Sequence, residues 1–101
     1  MRHRYYVYIL TNYNRTVLYT GVSNNLILRL QQHSEDAMGP KKTFAGRYNC
    51  IYLLYFEEYQ LIYDAIAREK EIKDLNRNKK EALIKTSNPD LIFLNHSQEN
   101  L

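Results

Sequence analysis

Cys50 is the only cysteine among 101 residues. A lone thiol excludes an internal disulfide and a cysteine metal cluster. It stands beside an apolar run, where a small buried side chain is expected. Long hydrophobic runs are also missing: no stretch approaches the roughly 20 apolar residues that a membrane-spanning helix needs. The opening segment, Met1 to Leu10, begins with basic residues but has a short apolar run and no small-residue cleavage site. It reads as a strand rather than a signal peptide, and the cytoplasm is the expected compartment. Tryptophan is absent, and 10 tyrosines dominate the aromatic residues. Tyrosine buries a ring while keeping a polar tip. A core that opens onto a cleft edged with hydroxyls is therefore expected, although most of the ten are accounted for simply as good strand residues.

Net charge is small, at +3, and decides little by itself. Its distribution says more. Arg68, Lys70, Lys73, Arg77, Lys79, Lys80 and Lys85 face only Glu69, Glu71, Asp74 and Glu81 in the same segment, so the whole excess sits there. A basic stripe on a helical segment suits a polyanion. A solvated lysine face is the competing reading, and charge alone favours it. There is no internal repeat and no linker. One domain over 1–95 with a frayed tail at 96–101 is expected.

Tyr5 to Thr11 is aromatic and β-branched, and Val17 to Val22 follows in the same style. A turn centred between Tyr13 and Asn14 would set Thr11 against Thr16 and Tyr8 against Tyr19. Alternation then places Tyr6, Tyr8, Leu10, Val17, Tyr19 and Gly21 on one face. Ser23, Asn24 and Asn25 are helix N-cap candidates, and the helix runs from Leu26 to about Glu35. On it Arg29 and His33 are neighbours one turn apart. Asp36 to Asn49 reads as a basic loop carrying Lys41, Lys42 and Arg47. Cys50 to Glu57 reads as a third strand, Gln60 to Leu75 as a helix and Arg77 to Lys85 as a second, stopped by Asn88-Pro89. Leu91 to Leu94 is expected to pack back. On the longer helix Leu61, Ala65, Glu69 and Ile72 share a stripe, flanked by Ile62 and Ile66. A carboxylate at position 69 is costly there unless paired or bound to a cation, and Arg68 and Lys73 are candidate partners.

These residue types suit phosphodiester cleavage, which needs an activated water, a cation and charge against the phosphate oxygens. Glu69 offers a hard oxygen to Mg²⁺, a cation that keeps most of its waters. Arg29 can clamp phosphate oxygens. Tyr8 and Tyr19 can orient or deprotonate water if a cation lowers their pKa. His33 can relay a proton or hold a phosphate. Each residue alone has a bland explanation: a tyrosine pair in a small sheet is usually core, and a lone Arg or His is usually incidental.

Order and spacing add to this. Tyr6-Val7-Tyr8, Tyr19-Thr20-Gly21, Arg29, His33 and Glu69 together resemble the GIY-YIG nuclease family. The surroundings from Leu18 to His33 and from Ala67 to Lys73 resemble its small stand-alone bacterial members of uncharacterised function. The resemblance covers about residues 5 to 85. It implies an α+β fold, a three-stranded antiparallel sheet flanked by helices. It also implies hydrolysis of DNA with one divalent metal, Mg²⁺ or another such as Mn²⁺, held by Glu69. Tyr8, Tyr19, Arg29 and His33 complete the implied site. Tyr6 stands where the family name has glycine, and Thr20 where it has isoleucine. Several members carry an asparagine after the glutamate, for which Asn76, Asn78 and Asn88 are loose matches.

Two other function classes fit the same residues. One is a non-catalytic nucleic-acid-binding module that contacts phosphates through Lys41, Lys42, Arg47, Lys73, Arg77, Lys79 and Lys80. Its affinity would fall with salt and survive chelation. The other is a protein-interaction domain with a vestigial site, which would be indifferent to DNA.

Overall fold

The computed structural model describes residues 4–40 and 43–95. The frayed tail expected at 96–101 lies outside these residues. The elements are β1 (Tyr5–Thr11), β2 (Leu18–Ser23), α1 (Leu26–Met38), α2 (Phe44–Arg47), β3 (Tyr52–Tyr59), α3 (Ile62–Asp74) and α4 (Arg77–Lys85). The strands form one antiparallel sheet in the order β2-β1-β3. This is the α+β architecture that the resemblance implied.

The central strand is buried on both faces, which is why Tyr6 to Leu10 reads as an unbroken apolar run. Alternation divides it between two cores. Tyr6, Tyr8 and Leu10 pack with Leu26 and Leu30 of α1, Ala45 of α2, Cys50 and Leu53. Val7 and Ile9 pack with Leu54, Tyr55, Ala65, Ile72 and Ile84, so α3 and α4 cover the second face. A register shift between Ile9 and Leu10 lets Leu54 and Tyr55 both enter this second core. Cys50 is fully buried, and burial pushes its thiol up to about 11.

The hairpin register differs from the expected one by two residues. Tyr8 faces Gly21, Leu10 faces Tyr19 and Thr11 faces Leu18. The cause is the Asn12 side chain. Its Oδ1 accepts from the amides of Thr16 at 2.8 Å and Val17 at 3.1 Å, and its Nδ2 donates to Thr16 Oγ1 at 2.7 Å. These bonds hold a wider loop, in which Arg15 takes a φ of 58°. A shift of two preserves side-chain parity, so the face assignment survives: Tyr6, Tyr8, Leu10, Val17 and Tyr19 meet in one cluster.

Other element boundaries also moved, and β3 runs from Tyr52 to Tyr59 rather than from Cys50 to Glu57. The helix α1 extends to Met38, with Asn25 capping the Leu28 amide at 3.0 Å as its sequence position suggested. Part of the expected basic loop is the short helix α2, capped by Thr43. The Asp36 carboxylate ties it to α1 by accepting from the Thr43 amide at 3.0 Å and its hydroxyl at 2.5 Å. Leu61 is more than half exposed, at 59%, because it precedes α3 in extended conformation. The buried stripe of α3 therefore begins at Ala65.

Beyond α4 the chain covers the outer edge of β3. The Leu94 amide donates to Leu53 O at 2.7 Å, and Asn95 bonds the Leu53 amide and Ile51 O. Buried Asn88 donates to Leu54 O and Ile92 O and accepts from the Ile92 amide. These bonds satisfy edge groups that would otherwise recruit another strand. Leu91 to Leu94 thus packs back as expected, with Phe93 stacked on Tyr52 at 4.1 Å between ring centres.

Candidate functional site

The site grows from the pairing of Tyr8 with Gly21. These residues sit opposite each other on β1 and β2. The Tyr8 ring lies across the glycine: a Cβ there would fall 2.5 Å from Oη and 2.6 Å from Cζ. Gly21 does not adopt a positive φ. Close approach of a side chain, not backbone conformation, is what requires glycine here.

The other groups gather around this phenol. Its Oη lies 3.0 Å from His33 Nε2. The Tyr19 ring is 6.4 Å from the Tyr8 ring and 5.4 Å from the imidazole, edge to face. Arg29 is exposed, one turn before His33 on α1. The Glu69 carboxylate, from α3, is 15% exposed and pairs with Lys73 Nζ at 3.2 Å. Both Arg29 and Glu69 are near enough to act on the Tyr8 phenol. Two strands and α1 thus bring Tyr8, Tyr19 and His33 together, with Arg29 one turn away, and Glu69 on α3 is close enough to act electrostatically on the Tyr8 phenol. Of these residues Arg29 lines an open cleft of about 210 Å³, together with Tyr5, Val22, Ser23, Asn24 and Ile62.

Electrostatics assign the proton between Tyr8 and His33. Burial pushes the Tyr8 phenol well above its usual value; Tyr19 and Glu69 raise it further, and Arg29 only partly opposes them. The phenol is therefore protonated at neutral pH. Burial pushes the His33 imidazole down, Arg29 adds to this, and Asp36 opposes it. The ring is therefore neutral. With the ring hydrogen on Nδ1, Nε2 accepts from the Tyr8 hydroxyl.

Among the described residues, no three His, Cys, Asp or Glu side chains come together as a metal cage. Glu69 alone suits Mg²⁺, which commonly binds one or two carboxylates and retains several waters. Its partner is Lys73, while Arg68 turns to Glu57 with bonds of 2.9 and 3.1 Å.

The proposed phosphate-contacting residues divide. Lys41 and Lys42 lie outside the described residues. Arg47 is exposed on α2, and Lys79 is exposed on α4 beside the partly covered Lys80. Lys73 is held by Glu69. Arg77 is committed elsewhere: its guanidinium donates to Thr16 O at 2.7 Å and Arg15 O at 2.6 Å, and pairs with Glu81 at 3.1 Å. It clasps the β1–β2 turn to α4. Neither Asn76 nor Asn88 is available to complete the site, since Asn76 caps α4 and Asn88 serves the β3 edge. The sequence reading missed Phe44 and Tyr48. Phe44 stacks on Tyr19 at 6.0 Å, and Tyr48 packs on Phe44 at 4.7 Å. The sequence clue was two aromatic residues inside an otherwise polar, basic stretch.

Comparison with known proteins identifies the family. Residues 4–82 match the GIY-YIG catalytic domain. A UPF0213 protein of Syntrophus aciditrophicus is 38% identical over 85 residues, covering 84% of this chain and 93% of the relative. One from Clostridium perfringens is 43% identical over 79 residues, covering 78% and 81%. The solution structure of a UPF0213 protein from Bacillus halodurans superposes with a TM-score of 0.54 at 30% identity, covering 86% of this chain and 88% of that one. With strands, helices and matched length all in agreement, the chain belongs to the GIY-YIG family, alongside the small UPF0213 proteins.

Proposed function

We propose that this protein hydrolyses phosphodiester bonds in DNA with the help of a divalent cation at Glu69. The observation that carries the reading is the nearness of Glu69, Arg29, Tyr19 and the Tyr8–His33 pair, from four separate elements, with Arg29 lining an open cleft. A cation held there, Mg²⁺ or Mn²⁺, would supply positive charge against phosphate oxygens and acidify water. Arg29 grips the non-bridging oxygens. Tyr19 orients the attacking water. Tyr8, whose own proton leans on His33, receives the water's proton as it passes its phenolic proton to His33 Nε2. Lys73 must yield the Glu69 carboxylate to a cation, which frees its ammonium to meet the phosphate.

The reading as a non-catalytic nucleic-acid-binding module has one observation in its favour, the Lys73 ion pair that already occupies Glu69. Nicking of supercoiled plasmid separates the two. Cleavage is expected with Mg²⁺ and none in chelator; retained DNA binding without cleavage at any metal concentration favours the module.

The pH profile adds a sharper expectation. His33 must be neutral to accept a proton. Its pKa in the fold lies below the usual imidazole value of about 6.5. Activity should hold as pH falls through that value and drop only at lower pH. The same depression contributes stability that is complete above the unfolded pKa and disappears as pH falls through the folded one. An acid limb centred above the usual imidazole value, removed by His33→Gln, contradicts this role.

A further inference from the structure

Tyr19 has two sides. One meets His33 and Tyr8 inside the site; the other meets Phe44, nearly parallel at 22°. Phe44 in turn carries Tyr48. Phe44 is 51% exposed and Tyr48 is 50% exposed. An aromatic row thus leaves the buried phenol and ends as two open rings, one on the first residue of α2 and one on its C-cap.

Neither core requires these rings at the surface. The fold requirements of α2 are met by Ala45, which is fully buried, and by buried Gly46, where a Cβ would collide with the Asp36 carboxylate at 2.0 Å. The platform is fixed to α1 through the Asp36–Thr43 bonds, so it holds a set position relative to His33 and Arg29. Arg47 is exposed in the last turn of the same helix and supplies positive charge.

We infer that Phe44 and Tyr48 form a stacking platform for an unpaired DNA base next to the phosphate held at the site. This rests on the nuclease reading and narrows its substrate to DNA with a single-stranded stretch. Aromatic side chains stack on exposed base faces without regard to sequence, and those faces are hidden inside an intact duplex. Continuity with Tyr19 and the adjacent cation favour a nucleotide over an apolar protein segment. The absence of tryptophan from the chain gives the platform a direct probe.

In Phe44→Trp, with chelator present, a thymidine oligonucleotide should quench the new fluorescence while a blunt duplex leaves it unchanged. In Phe44→Ala/Tyr48→Ala, affinity for that oligonucleotide should fall about ten- to a hundred-fold, with duplex affinity within about twofold. Both variants are checked for folding by amide NMR spectra. Unquenched fluorescence at saturating oligonucleotide, or equal loss for both DNA forms, overturns the platform. So does unchanged oligonucleotide affinity accompanied by loss of self-association, which would assign the face to a second copy. Wild-type cleavage of a gapped plasmid is scored separately: metal-dependent cleavage without the stacking response refutes the platform alone, whereas absence of cleavage with stacking intact refutes only the nuclease reading.

Discussion

Glu69→Gln is expected to lower metal-dependent cleavage by about 10³-fold or more while leaving the protein folded. A cation contributes several kcal/mol to a transition state of this type, and each 1.36 kcal/mol is worth about tenfold in rate. The amide keeps the shape of the side chain but removes the charge that holds a cation. The structural cost is small. Among the described residues Glu69 is ion-paired only to Lys73, whose side chain is 52% exposed against 15% for the carboxylate, and a helical pair open to solvent on one side contributes about 1 kcal/mol. Arg29→Ala should cost about 10²- to 10³-fold by removing the phosphate clamp, again with little effect on stability because Arg29 is exposed. Nicking assays paired with thermal melts check both. Equal cleavage by Glu69→Gln and wild type would falsify the assigned mechanism.

Gly21→Ala should be damaging in a different way. The added methyl would stand 2.5 Å from Tyr8 Oη and 2.6 Å from Cζ. Tyr8 is 1% exposed and packed beside Tyr19 and His33, so the ring cannot swing clear. Forcing a methyl into such a site typically costs about 1–3 kcal/mol. The phenol also leaves His33 Nε2, and loss of that proton path should reduce cleavage by about 10²-fold or more. Thermal unfolding reads the first effect, and the ¹⁵N shift of His33 Nε2 reads the second. An unchanged melt together with an unchanged imidazole shift is incompatible with the ring lying over Gly21.

Much of the fold was legible because its signals are local. Alternation through Tyr6, Tyr8 and Leu10 named the face that carries the candidate site, and Asn25 marked a helix start that the structure bears out. The hairpin register was not legible, because it depends on how one side chain, Asn12, bonds across its loop. Leu61 was misplaced because helical spacing does not reveal where the first turn closes. Glu69 stood out as a carboxylate on an apolar stripe, yet its partner was open: Lys73 and Arg68 are both near in sequence, and Glu57 on a neighbouring strand decided the matter by claiming Arg68. Arg77 counted as surface charge in the sequence. Only the folded chain brings the carbonyls of Arg15 and Thr16 to its guanidinium. Phe44, which carries Tyr48, was overlooked for the same reason: its neighbour Tyr19 is far away along the chain.

Glu57 provides an internal control for the site. Burial alone would raise its carboxyl, but hydrogen bonds from Arg68, Tyr55 and Tyr59 outweigh this and hold it below the usual range. All its bonding capacity is directed to these neighbours on the second sheet face, so it should ignore metal.

The most direct measurement is a Mn²⁺ titration followed by paramagnetic broadening of side-chain NMR signals. The ring signals of Tyr8, Tyr19 and His33 should broaden first, those of Tyr55 and Tyr59 beside Glu57 should stay sharp, and Glu69→Gln should abolish the effect. Broadening centred on Tyr55 and Tyr59, or broadening that persists undiminished in Glu69→Gln, would contradict a cation site at the meeting point of these four elements.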